Sequence, residues 1–87
     1  MADEEKRFSR HLVGKTVVTK NGKKFGEVGG ISFELKTGEL IHIKLRNPTA
    51  YIDNLDLEQD EKGSWLVPYS AVIAVGDFVV VAEEDII

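Results

Sequence analysis

The clearest period in the chain runs from Leu40 to Leu45, where Ile41, Ile43 and Leu45 share one face and Leu40, His42 and Lys44 the other. That alternation predicts a half-buried strand. Upstream, Thr16-Val17-Val18-Thr19-Lys20 is rich in β-branched residues and reads as a first strand. It ends at Asn21-Gly22, a dipeptide that accepts the positive φ angles of a type I′ hairpin turn. A second strand is expected from Phe25 to Leu35, with a conflict of parity inside it: Gly26 and Val28 keep one register, whereas Ile31, Phe33 and Leu35 alternate on the other. Gly29-Gly30 lies at the break, so a β-bulge with a sharp bend is predicted there.

Lys36-Thr37-Gly38-Glu39 reads as the next turn. Residues 46–63 form a long irregular connection in which Tyr51, Ile52, Leu55 and Leu57 are apolar among acids, a pattern expected to pack over an opening of the core or to offer a binding edge. Ser64 to Val67 is a fourth strand, stopped by Pro68, which has no N–H to give to a ladder. Tyr69-Ser70-Ala71-Val72 reads as one helical turn, Ile73 to Val75 as a short strand, and Gly76-Asp77 as a tight turn into Phe78 to Ala82. This last segment is apolar at consecutive positions, which predicts burial on both faces. Three regions follow: a charged lead-in at 1–11 with a helical turn pairing Phe8 with Leu12, a β domain at 12–82, and an acidic and apolar tail at 83–87.

Eighty-seven residues support one domain with a modest core, which oligomerisation would help. Net charge is −4, but residues 1–50 carry +4 and residues 51–87 carry −8. Such asymmetry is compatible with nucleic-acid binding by the basic half, yet no aromatic stacking platform accompanies the lysines, and interleaved strands need not give a bipolar surface. The absence of cysteine excludes disulfides, thiolate catalysis and Cys-based zinc sites. With no apolar run of membrane-spanning length and an acidic, polar start, the expectation is a soluble cytoplasmic protein without membrane insertion.

Chemistry is sparse. His11 and His42 belong to no arrangement of nucleophile, base and orienting acid. Asp53, Asp56, Glu58, Asp60 and Glu61 lack the order of a calcium loop, and the glycines lack phosphate-loop spacing. No catalytic residue, cofactor or metal site is therefore expected, and a small-ligand or metal sensor has nothing specific in its favour. Contact surfaces remain. The candidates are Ile73, Val79 and Val81 on the last two strands and the terminal Ile86-Ile87 beyond Glu83-Glu84-Asp85, while Gly22, Gly29, Gly30 and Gly76 are expected to shape turns and bulges.

The order of these motifs carries a resemblance. Val13-Gly14-Lys15-Thr16-Val17-Val18 with Asn21 to Val28, followed about forty positions later by Trp65-Leu66-Val67-Pro68-Tyr69-Ser70-Ala71-Val72 and Val75-Gly76-Asp77-Phe78-Val79-Val80-Val81, resembles the PRC-barrel family from about Leu12 to Val81. The family is named for a domain of the photosynthetic reaction centre H subunit and recurs in a bacterial ribosome-maturation factor. Length and motif order look most like its small stand-alone archaeal members, some of them cell-division proteins. The resemblance implies an all-β, six-stranded, antiparallel, partly open barrel. It further implies a non-catalytic association module, a homodimer or higher oligomer that meets other cell-division or assembly proteins and is recruited to the division site. The other branch of the family implies an alternative, an RNA-linked role in ribosome maturation. Ile73 departs from the pattern, since family members often carry a charged residue there.

Overall fold

The computed structural model describes residues 11–86. The lead-in at residues 1–10, including the expected Phe8–Leu12 pairing, and the candidate Ile87 lie outside the described residues. Seven strands form one sheet: β1 (Thr16–Thr19), β2 (Lys24–Phe33), β3 (Leu40–Arg46), β4 (Glu58–Gln59), β5 (Trp65–Pro68), β6 (Val72–Val75) and β7 (Phe78–Val81). Their spatial order is β4-β5-β3-β2-β1-β7-β6, so the sheet curls without closing. The all-β, partly open architecture agrees with the expectation from sequence.

Two details differ from it. The strand count is seven rather than six, because Glu58-Gln59 of the long connection pairs with β5. The pairing is also not wholly antiparallel, since β1 and β7 run side by side in parallel, with Thr16 opposite Phe78 and Thr19 opposite Val81. Neighbours that meet only through the whole intervening chain leave no local signature.

The β1–β2 hairpin shows how a single glycine fixes a turn. Thr19 accepts the Gly22 N–H at 2.9 Å, and its own N–H reaches the Lys23 carbonyl at 2.9 Å. Gly22 has φ +83° while Asn21 does not have a positive φ, so the connection is a three-residue loop ending on a left-handed glycine rather than the expected type I′ turn. The Thr19 hydroxyl accepts the N–H groups of Asn21 and Lys23 and satisfies the loop from inside.

The predicted bulge is present. Val28 faces Leu45 and Gly30 faces Lys44, which leaves Gly29 as the extra residue. A Cβ on Gly29 would lie 2.8 Å from the Cβ of Arg46, too close for any side chain. A second irregularity on the same strand opposes Val17-Val18 to Gly26 and Lys24. Gly26 there has φ +154° and sits against the backbone of Arg46, Asn47 and Pro48, a tight approach that the sequence reading did not single out. Ile41 departs from the expected alternation. The β2–β3 register slips between Phe33–Leu40 and Ser32–His42, leaving Ile41 38% exposed while Ile43 and Leu45 remain in the core.

Leu12, Val17, Phe25, Val28, Ile43, Val67, Val79 and Val81 fill the interior. The long connection is packed rather than open: Ala50–Asn54 forms a 3-10 turn that buries Ile52, Leu57 is buried after it, and Tyr51 and Leu55 lean on the same core. Pro68 ends β5 as expected, and Tyr69–Ala71 makes a short 3-10 turn into β6. Gly76 lies in the bend between β6 and β7, at which Lys15 donates to its carbonyl.

Candidate interaction surface

Side chains on paired strands point the same way, so the register of β6, β7 and β1 decides which apolar residues face out. Val17, Val79 and Val81 are fully buried, together with Thr19. The other parity makes the outer face. Val80 lies beside Val18 on one side and Ala74 on the other, and Phe78 lies beside Thr16. Phe78 is 53% exposed and Ile73 51% exposed. A slip between Val72 and Ala74 turns Ile73 and Ala74 both outward, while Val72 and Val75 pack on the core.

These positions sort the candidates from sequence. Ile73 is on the surface. Val79 and Val81 are not: they belong to the core, and the second apolar face of β7 consists of Phe78 and Val80. Five consecutive apolar residues, Phe78 to Ala82, satisfy either parity equally well, so the choice of face needed the parallel pairing with β1. Ile86 packs against the chain's own core. The turn before it, Glu83–Asp85, is clasped to the barrel by Tyr51, whose hydroxyl donates to the Glu83 carboxylate at 2.7 and 2.8 Å, and by a Lys20–Glu84 ion pair. The carboxylate hydrogen bond and partial burial raise the Tyr51 pKa, and the ion pair raises that of Lys20 and lowers that of Glu84.

A family model for the PRC-barrel domain matches residues 4–85, nearly the whole chain. The protein belongs to the PRC-barrel family. None of the curated proteins matches it. PRC-barrel domains are in general non-catalytic modules of protein contact.

Elsewhere this PRC-barrel chain assembles little chemistry. Among the described residues no cluster of three or more His, Asp or Glu side chains has metal-binding geometry. His11 is exposed, and His42 on β3 stands 3.9 Å from Glu58. The acids of the long connection are spread along it, with Asp60 engaged locally: its carboxylate accepts the N–H groups of Ser64 at 2.8 Å and Lys62 at 2.9 Å and lies 3.6 Å from Lys44. The Ser64 hydrogen bond is the chief reason that the Asp60 pKa falls below its ordinary value, aided by Lys62 and Lys44. One small cleft of about 100 Å³ opens beside β4 and the end of β5, lined by Leu57, Leu66, Pro68 and Ile86 with His42, Asp56 and Glu58. No described helix is long and apolar enough to cross a membrane.

Proposed function

We propose that this PRC-barrel protein acts by association, first as a two-fold dimer through the edge of β6 and the outer face of β6 and β7, and then as an adaptor for further proteins. The observation that carries this reading is the pair Ile73 and Phe78, both about half exposed, on an outer face continued by Val18, Ala74 and Val80. A two-fold contact needs one self-complementary patch, and an antiparallel pairing of Val72–Val75 with its symmetry copy extends the sheet while bringing both outer faces together. The resemblance to small archaeal members supports the further proposal of a cytoplasmic adaptor recruited to the cell-division apparatus.

Light scattering over a wide concentration range tests the dimer, and recovery of bound proteins from cells making a tagged copy tests the adaptor. A protein that stays at its monomer mass of 9.7 kDa and captures nothing sinks the proposal. The RNA-linked alternative has fewer available cations than the sequence suggests, because Lys20, Lys44 and Arg46 each face a carboxylate, of Glu84, Asp60 and Glu27 respectively. RNA binding would show itself by a steep fall with salt, as counterions are released.

A further inference from the structure

Leu35 is 98% exposed, the most exposed of the large apolar side chains described. It is not on a slack loop. At the tip of the β2–β3 hairpin the Glu34 N–H reaches the Glu39 carbonyl and the Gly38 N–H the Glu34 carbonyl, each at 2.8 Å. The Glu34 carboxylate accepts the Lys36 N–H at 3.3 Å, and the Thr37 hydroxyl accepts that of Glu39 at 3.2 Å. Four hydrogen bonds therefore hold a leucine out in water, flanked by the charged Glu34 and Lys36. Preorganised apolar presentation of this kind lowers the ordering cost of a contact.

The same molecule contains a matching recess. The cleft beside β4 has about 100 Å³, against roughly 150 Å³ for an apolar cavity that takes up benzene and roughly 300–1,000 Å³ for a drug-sized site. It therefore suits one aliphatic side chain. Leu57, Leu66, Pro68 and Ile86 supply apolar walls, and Asp56 and Glu58 supply negative charge beside them. Lys36, next to Leu35 in sequence, supplies a positive charge, while the carboxylate of Glu34 on the other side is turned onto the Lys36 backbone N–H. Leu35 does not fill the cleft of its own chain, as its exposure shows.

We infer that the cleft receives Leu35 of a second copy of this chain, with Lys36 against Asp56 and Glu58. This deepens the association reading by naming a second contact. Tip and cleft are different surfaces, so the contact is head-to-tail, and repetition gives an open chain unless the rotation happens to close a ring. A single inserted leucine makes a weak contact by itself. On a two-fold dimer each unit carries two tips and two clefts, and where two dimers engage through both pairs the second contact is effectively intramolecular.

The cysteine-free sequence permits a direct test. A Leu35→Cys chain is mixed with a Pro68→Cys chain under mild oxidation, both carrying Ile73→Glu to remove the β6 contact. The expected result is a disulfide-linked heterodimer at least tenfold above that from Asn21→Cys with Pro68→Cys. Adding Lys36→Glu to the tip chain should lower the yield several-fold, and adding Glu58→Lys to the cleft chain should restore it. Asp56→Cys serves as the cleft position if Pro68→Cys fails to fold. A yield no better than the Asn21 control, or one indifferent to the charge at Lys36, overturns the inference. Its failure is separable from that of the β6 dimer. Cross-linking without a wild-type dimer refutes only the dimer, and a dimer lost on Ile73→Glu without cross-linking refutes only the tip-and-cleft contact.

Discussion

The sheet ends in two edges of opposite character. β4 is two residues long, Glu58-Gln59, and is followed directly by Asp60, Glu61 and Lys62. β6 is four residues long, Val72-Ile73-Ala74-Val75, and carries no charge. An edge strand presents unpaired N–H and C=O groups that invite another strand, and short length and charge are the usual devices against it. β4 has both and β6 has neither. Among the described residues one edge of the sheet is thus guarded and the other open, and the open one adjoins the apolar outer face of β7.

The largest effect should come from charging the open edge. Ile73→Glu, alone or with Phe78→Asp, should raise the dimer dissociation constant at least a hundredfold, about 3 kcal/mol, with an unchanged far-ultraviolet circular dichroism spectrum. Equal dimer affinity by sedimentation would remove β6 from the interface. Next comes the hairpin that fixes which side of β1 faces out. Gly22→Val forces a β-branched residue to φ +83° and should cost on the order of 1–3 kcal/mol in urea denaturation, although the space around Gly22 is open. Stability equal to the parent would mean that the loop has relaxed to another turn.

The converse experiment strips the guard from β4. Glu58→Val with Gln59→Ile should create a new association that Ile73→Glu does not abolish, but one at least tenfold weaker than the β6 contact, because a two-residue strand offers few backbone groups. If no new association appears up to millimolar concentration, charge is not what protects that edge. The smallest effect concerns pH. Asp60 is held below its ordinary pKa of 3.8 in the folded chain, so its contribution is complete above that value and is lost as pH falls through the lower folded one. As pH falls through that lowered value the amides of Lys62 and Ser64 should lose protection against exchange, and Asp60→Asn should remove this pH dependence. The apolar β6 edge has no titratable side chain and should not follow it.

What could be read from the sequence was what neighbours in the chain decide. The hairpin at Asn21-Gly22, the bulge at Gly29 and the strand end at Pro68 each depend on a few consecutive residues, and the structure has all three. The turn type was missed because Asn-Gly fits two hairpin geometries, and only the pairing of Thr19 with Lys23 separates them. The alternation points Ile41 inward because it carries no sign of the slip between Ser32 and Phe33. At the candidate surface, Ile73 was legible as an apolar residue out of place. Phe78 and Val80 were not, because a run with no polar position carries no parity. The same alternation carries Leu35 into the second strand, and its exposure follows from the strand ending at Phe33.

The parallel pairing of β1 with β7 has a consequence for the history of each molecule. The hairpins β1–β2 and β2–β3 close through short loops, whereas Val18 meets Val80 only after a segment of roughly sixty residues has been gathered in. The entropy of closing such a loop grows as its logarithm, to about 3–4 kcal/mol beyond the fixed cost. Burial of Val79 and Val81 must offset it in the same step. Ala74 and Val80 meet locally across the short β6–β7 turn, and Val18 joins them only when that step is complete, so the pairing with β1 finishes and backs the outer face. A copy that has not made this pairing carries Ile73 and Phe78 on a hairpin with nothing behind it, so the proposed assembly would favour completed chains.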